Sequence, residues 1–181
     1  MIKGPLIVTG CQRSGTVLVT RALAYDLNLE VLGDRDFTPN VTGIEKLYTL
    51  IENGITDIVI QMPTALNFFV DLHHSIPDAH FVGVIRDTED IIESMKRIKW
   101  QFDHHYHYID FYYDHIKMMK GNWELLKNIL PETCWTEFKY ESFRKHPLYV
   151  EKEQRKDFTV HQWSPDKPVG PKYYLKNDII F

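Results

Sequence analysis

The chain alternates short, fully apolar runs with longer stretches whose apolar residues return every three or four positions, a pattern that predicts strands and helices in turn. The first run, Pro5-Leu6-Ile7-Val8-Thr9, ends at Gly10, and from Gly15 to Ala24 the residues Leu18, Ala22 and Leu23 share one stripe. A buried strand therefore passes through a short loop into a helix. The run from Ala79 to Ile85, with its strand over Phe81 to Ile85, ends in Arg86-Asp87, after which Ile91, Ile92, Met95 and Ile98 keep helical spacing. Further strand signals lie at Asn28 to Leu32, Asp57 to Gln61 and Cys134 to Phe138. Ile109, Tyr112, Tyr113, Ile116, Met119, Trp123 and Leu126 form the core-facing stripe of a long helix that ends before Pro131. Strands this apolar, separated by helices, predict an α/β fold of three layers, α/β/α, around a five-stranded parallel sheet. From about residue 148 the pattern loosens into a polar tail, with Pro165, Pro168, Gly170 and Pro171 setting turns. Residues 1–181 read as a single domain.

The loop after the first strand carries the first chemical signal. Gly10 to Gly15 matches Gly-x-x-x-x-Gly, the spacing of a phosphate-binding P-loop, so the fold reads as P-loop-NTPase-like. Backbone N–H groups in such a loop, with the positive end of the following helix, form a concavity for a phosphate or sulfate group. A nucleotide-triphosphatase would continue with lysine and then a magnesium-binding serine or threonine. Thr16 and Val17 stand there instead, and the nearby cation is Arg13, inside the loop. The loop is thus an anion cradle without the parts of a triphosphatase, or an ordinary strand-to-helix turn.

The end of the Phe81–Ile85 strand narrows that choice. Arg86 sits at the strand's carboxyl end, and Ser94 follows eight residues later, about two helical turns on. In open parallel sheets ligands bind beyond the carboxyl ends of the strands, which puts Arg86 and Arg13 on one crevice. Two cationic positions fit a ligand with two anionic ends.

These motifs resemble the sulfotransferases that use 3′-phosphoadenosine-5′-phosphosulfate (PAPS), in pattern the bacterial and protein-tyrosine type. The resemblance runs in order from about residue 4 to 147. It implies that Arg13, Ser14, Gly15 and Thr16, flanked by Gln12 and Val17, hold the phosphosulfate end. Arg86 and Ser94 would hold the 3′-phosphate. Phe138-Lys139-Tyr140-Glu141-Ser142-Phe143 is similar to the family's late Tyr-Glu segment, which would bring Tyr140 near the nucleotide. The pattern breaks at Gln61-Met62-Pro63, where many relatives have lysine in place of Gln61. An amide can donate a hydrogen bond to a sulfonate but supplies no charge, and charge aimed at a transferring group is usually a large term. Gln61 therefore leaves room for a slow enzyme, for another cation in the same place, or for a protein that binds PAPS or its product, adenosine 3′,5′-bisphosphate (PAP), without turnover. Lys172 and Lys176 in the tail are candidates for that cation.

Sulfuryl transfer to an alcohol needs a group that removes the hydroxyl proton. By the resemblance to the protein-tyrosine branch, Asp34 is the first candidate base, with Asp36, Glu30 and the histidines of the Trp100 to Tyr108 segment as alternates; a solvated Asp34-Arg35-Asp36 loop is the other reading. His104 and His107 share a helical face, yet no further ligand stands at a recognisable spacing, and no metal is expected. The segment more simply lines an acceptor mouth or packs on the sheet. A nucleoside-phosphate kinase is the alternative enzyme, disfavoured by Thr16 and Val17.

Composition adds exclusions. With 181 residues, 44% of them hydrophobic, the chain can bury a core unaided. A formal net charge of -4 with no basic run argues against nucleic acid as a partner. Two cysteines, Cys11 and Cys134, are too few for a disulfide framework and read as free thiols of a reducing compartment. Met1-Ile2-Lys3-Gly4 leads straight into the first strand, and every apolar run is far shorter than the ~20 residues of a membrane span. The expectation is a cytoplasmic transferase acting on a small-molecule or carbohydrate acceptor, with no membrane partner.

Overall fold

The computed structural model describes residues 4–32, 41–97, 109–151 and 154. Five parallel strands form one sheet: β1 (Leu6–Gly10), β2 (Glu30–Leu32), β3 (Ile58–Gln61), β4 (His80–Ile85) and β5 (Trp135–Lys139), in the order β2-β3-β1-β4-β5. The helices are α1 (Thr16–Leu27), α2 (Val41–Glu52), α3 (Phe69–Ser75), α4 (Thr88–Arg97) and α5 (Ile109–Ile129). Strand ends agree with the apolar runs to within two residues. α1 continues three residues beyond Ala24 and stops at Asn28, whose left-handed backbone (φ 53°) turns its N–H onto the Ala24 carbonyl.

Topology and side-chain alternation together set the layers. The connection β1 to β2 runs one way across the sheet, and every later connection runs the other way. Because such crossovers are right-handed, α1 must cover one face and α2 to α5 the other. The register agrees: Ile7 pairs with Ile60 and Phe81, and these point to the face packed by Leu47, Phe69, Leu72, Ile91, Met95, Ile116, Met119 and Trp123. Leu6, Val8, Val59, Val82 and Val84 point the other way, onto Val19, Leu23 and Ala24 of α1. These strands are apolar on both faces because both faces are covered. No described helix is long and apolar enough to cross a membrane.

α5 crosses the sheet with Ile116, Met119, Trp123 and Leu126 buried to 1% exposure or less. Tyr113, expected in that stripe, is instead 41% exposed, and its hydroxyl donates to the Glu89 carboxylate at 2.8 Å. Tyr112 and Ile116 take up the turn that faces inward, so the neighbouring Tyr113 is rotated toward α4. Ile98 and the Trp100 to Tyr108 segment, with His104 and His107, lie outside the described residues. Cys11 is buried, Cys134 is half-buried, and both are free thiols.

Trp123 explains a glycine in the middle of a strand. Gly83 lies under the indole, where a Cβ would approach the ring to 2.2 Å, and the indole N–H donates to Glu137 in the next strand at 2.7 Å. Gly83→Ala should therefore destabilise the protein by about 1–3 kcal/mol in urea denaturation, the usual cost of overpacking. Gly121→Ala, at an exposed α5 position with open space around it, should stabilise it by about 0.5–1 kcal/mol.

Candidate functional site

β1 lies between β3 and β4, and its chain leaves for one face while theirs leave for the other. A crevice opens at such a point beyond the carboxyl ends of the strands. The loop from Cys11 to Gly15 fills its floor. Gly10 brings β1 close against β4, since a Cβ there would lie 2.8 Å from the Val84 carbonyl oxygen. Two residues then adopt left-handed backbone, Arg13 at φ 72° and Gly15 at φ 106°. The Ser14 N–H closes the turn on the Cys11 carbonyl at 3.0 Å. No side chain caps the start of α1, so the first-turn N–H groups are left for a ligand or water. Beneath them Ser14 is fully buried, and its hydroxyl has no hydrogen-bond partner among the described residues.

Arg13, Ser94 and Arg86 meet here although they are far apart in sequence. The Arg13 Nε donates to the Ser94 hydroxyl at 3.2 Å, and Arg86 Nη1 donates to the Arg13 carbonyl at 3.1 Å. Ser94, two turns into α4, is 7% exposed. The Arg86 guanidinium lies 4.4 Å above the Tyr140 ring, and its Nε is 3.9 Å from the Asp90 carboxylate. Tyr140 starts the 3-10 turn Tyr140–Lys145 after β5, and its ring packs so closely on Gly15 that a Cβ at Gly15 would fall 2.2 Å from it. The two cationic positions are therefore contiguous, joined through the Arg13 carbonyl, with Ser94 held by the Arg13 side chain.

On the other side of the loop Gln61 ends β3, and its amide reaches the Thr16 hydroxyl at 3.5 Å. Thr16 is buried, and Val17, next along α1, is half-buried with an aliphatic side chain. Glu30 is exposed at the amino end of β2, paired with Ile58, so the strand's length separates it from the crevice. Asp34 and Asp36 lie outside the described residues, as do Lys172 and Lys176. No group of three His, Cys, Asp or Glu able to hold a metal is present among the described residues.

Two further residues of α5 reach the loop. The His115 Nε2–H donates to the Gln12 side-chain carbonyl at 2.7 Å, and burial pushes the imidazole down to about 4. The Lys120 ammonium donates to the Thr88 hydroxyl at 2.7 Å. It also opposes the burial that pushes the Cys11 thiol up to about 12, so Cys11 is a protonated, inert thiol. Neither residue has a sequence signal as a site residue, because each sits at the edge of an ordinary core stripe.

No protein-family model and no curated protein sequence matches the chain. Solved structures do resemble it. The sulfotransferase domain from the curacin biosynthetic pathway superposes with a TM-score of 0.59 at 16% identity, over 81% of this chain and 70% of that one. A sulfotransferase from Alicyclobacillus acidocaldarius gives 0.58 at 13% identity, over 82% and 77%. A sugar kinase from a Janibacter species gives 0.52 at 13% identity, over 76% and 85%. At these identities the likeness is one of fold: the chain has the P-loop-like α/β sheet found in sulfotransferases and in kinases.

The half-buried His115 carries a pH signature. Its folded value of about 4 lies below the ordinary 6.5, so the unfolded chain binds the extra proton between those values. Stability from this group is present above about pH 6.5 and is lost as pH falls toward 4. The urea-denaturation stability of wild type relative to His115→Gln should therefore rise from pH 4.5 to pH 6.5 and level off above; a flat difference would disprove the assignment.

Proposed function

We propose that this chain is a PAPS-dependent sulfotransferase acting on a hydroxyl or amine of a small or carbohydrate acceptor. The observation that carries the reading is the joining of Arg13, Ser94 and Arg86 beside the start of α1, which no side chain caps. The donor set fits the nucleotide: charged guanidinium groups, a serine hydroxyl, uncapped helix-start amides and the buried, unpartnered Ser14 hydroxyl suit oxyanions, and the Tyr140 ring offers an apolar wall. Thr16 and Val17 supply neither the lysine nor the metal-binding hydroxyl of a kinase loop, which favours sulfuryl over phosphoryl transfer.

In this reading the first-turn amides and Arg13 hold the 5′-phosphate and stabilise the charge it gains. Arg86 and Ser94 hold the 3′-phosphate, for which Arg13 gives up its bond to Ser94. When bound, PAPS supplies an activated sulfuryl group: the acceptor oxygen forms the new S–O bond, and the 5′-phosphate leaves with the electron pair of the old one. Gln61 donates a neutral hydrogen bond toward that group from the end of β3. Asp34, in the segment that follows β2, takes the acceptor proton.

The nucleotide assignment is tested by calorimetry. PAP should bind at least about tenfold more tightly than AMP, because each charge-assisted hydrogen bond contributes about 1.5–3 kcal/mol. Arg86→Ala should remove most of that preference, and a chelator should change neither affinity nor transfer. Equal affinities for the two nucleotides, or a strict magnesium requirement, would sink the reading in favour of a kinase.

Turnover is tested separately with labelled PAPS and phenolic, sugar and amine acceptors. Asp34→Asn should cost about 10²–10⁴-fold in rate while nucleotide affinity stays nearly constant. Gln61→Lys should raise the rate by bringing a cation to the developing charge. No transfer by wild type or by Gln61→Lys would make the chain a nucleotide-binding protein without turnover.

A further inference from the structure

Lys120 sits at the edge of the core stripe of α5. It stands four residues after Ile116 and three before Trp123, both 1% exposed, and so borders the inward face of the helix. Taking an ammonium out of water carries a cost that an apolar side chain avoids. Lys120 is half-buried, and its partner among the described residues is the neutral Thr88 hydroxyl. An ammonium has three N–H donors, so two remain unspent.

Lys120 also borders an opening beside the loop. Lys120 lines a small pocket with Gly10, Cys11, Leu66, Arg86 and Trp123, on the α5 side of the sheet. Arg13, bonded to Ser94 through its Nε and to Arg86 through its carbonyl, stands beside this pocket, but neither Arg13 nor Ser94 lines it. Gln61, whose amide turns to Thr16, brings no charge to the crevice. The pocket therefore has mostly apolar walls, the start of the loop in its lining, and two cations, Arg86 and Lys120, of which Lys120 has no carboxylate partner among the described residues.

We propose that Lys120 is the cation of a second oxyanion subsite, on the α5 side of the loop, which takes a sulfonate, phosphate or carboxylate group. The inference rests on the crevice being an anion site and adds, on its α5 side, a second cation to a pocket that Arg86 also lines and that Arg13 and Ser94 do not. The oxyanion comes either from the sulfonate end of the donor or from an acidic group on the acceptor. In both cases Lys120 supplies charge that Gln61 does not.

The test is calorimetric titration of the full chain with inorganic sulfate, with and without saturating PAP, for wild type, Lys120→Gln and Lys120→Arg. Lys120→Gln should weaken sulfate binding at least about tenfold, the scale of one charge-assisted hydrogen bond, while PAP affinity stays within about twofold. Lys120→Arg should retain sulfate binding within about threefold. A tenfold loss of PAPS affinity in Lys120→Gln would assign the subsite to the donor; unchanged PAPS affinity with sulfate binding lost would assign it to an acidic acceptor. Wild type that binds no sulfate, or Lys120→Gln that binds it as wild type does, overturns the proposal. If Lys120→Gln proves unfolded by circular dichroism, acylation of wild-type Lys120, read by mass spectrometry, decides: protection by sulfate supports the subsite and its absence overturns it. Failure of PAP to bind would count against the nucleotide reading alone, since the titration without nucleotide still reads Lys120.

Discussion

The crevice depends on one close contact, that of Gly15 with the Tyr140 ring. Gly15 is left-handed at φ 106°, and the space a Cβ would need is taken by the ring. The other face of the contact is equally constrained: Tyr140 lies under the Arg86 guanidinium, and Arg86 holds the Arg13 carbonyl. The loop after β1, the end of β4 and the end of β5 are thereby fixed to one another. Arg13 itself adopts φ 72°, a conformation that costs a non-glycine residue about 1–3 kcal/mol and persists when its surroundings over-determine it. Arg86 supplies that determination by bonding the carbonyl of the strained residue. In that conformation the Arg13 side chain reaches the Ser94 hydroxyl.

The sheet determines why this opening stands at β1 and at no other strand. Parallel pairing with β3 and β4 holds Val8 beside Gln61 and Gly10 beside Val84, so β1 and β4 end within a residue of each other and β3 ends two residues short of β1. Right-handed crossovers send α1 to one face and α3 and α4 to the other, which leaves the space above β1 uncovered. Gly10 makes the pairing with β4 close enough for Arg86 to reach back over the loop. A side chain at Gly10 would meet the Val84 carbonyl, and the loop would lift from the sheet.

Much of this was legible in the sequence because it is local. Apolar runs marked the five strands, and the eight-residue step from Arg86 to Ser94 placed both at one end of β4 and α4. Tyr140 was reached only through family resemblance, since nothing near it in the sequence refers to Gly15. Tyr113 misled because a helix lying on a sheet buries a narrow stripe, and adjacent aromatics cannot both face inward. His115 and Lys120 were silent for the opposite reason: their partners, Gln12 and Thr88, are 103 and 32 residues away, and a polar residue beside a core stripe looks like solvent-facing decoration. Glu30 was placed by proximity to the second strand, but register puts it at the wrong end.

Charge at the crevice is a local construction in an acidic chain. The formal net charge is -4, so the protein's overall field repels anions. Exposed charges are screened beyond about 8–10 Å at ordinary ionic strength, whereas partly buried ones are screened far less. Arg86, with a side chain only 10% exposed, and the first-turn amides act within that distance on anything seated over Gly15. The carboxylate nearest Arg86, Asp90, stands 3.9 Å from Nε and is 45% exposed, so it offsets the guanidinium only in part. Arg86 Nη1 meanwhile is spent on the Arg13 carbonyl, which turns part of its donor capacity to holding the loop. The positive charge left for a ligand is therefore modest and tightly directed. Such a site discriminates by the number and placement of oxyanions, and an extra phosphate in the right place gains more there than an extra charge elsewhere on the same ligand.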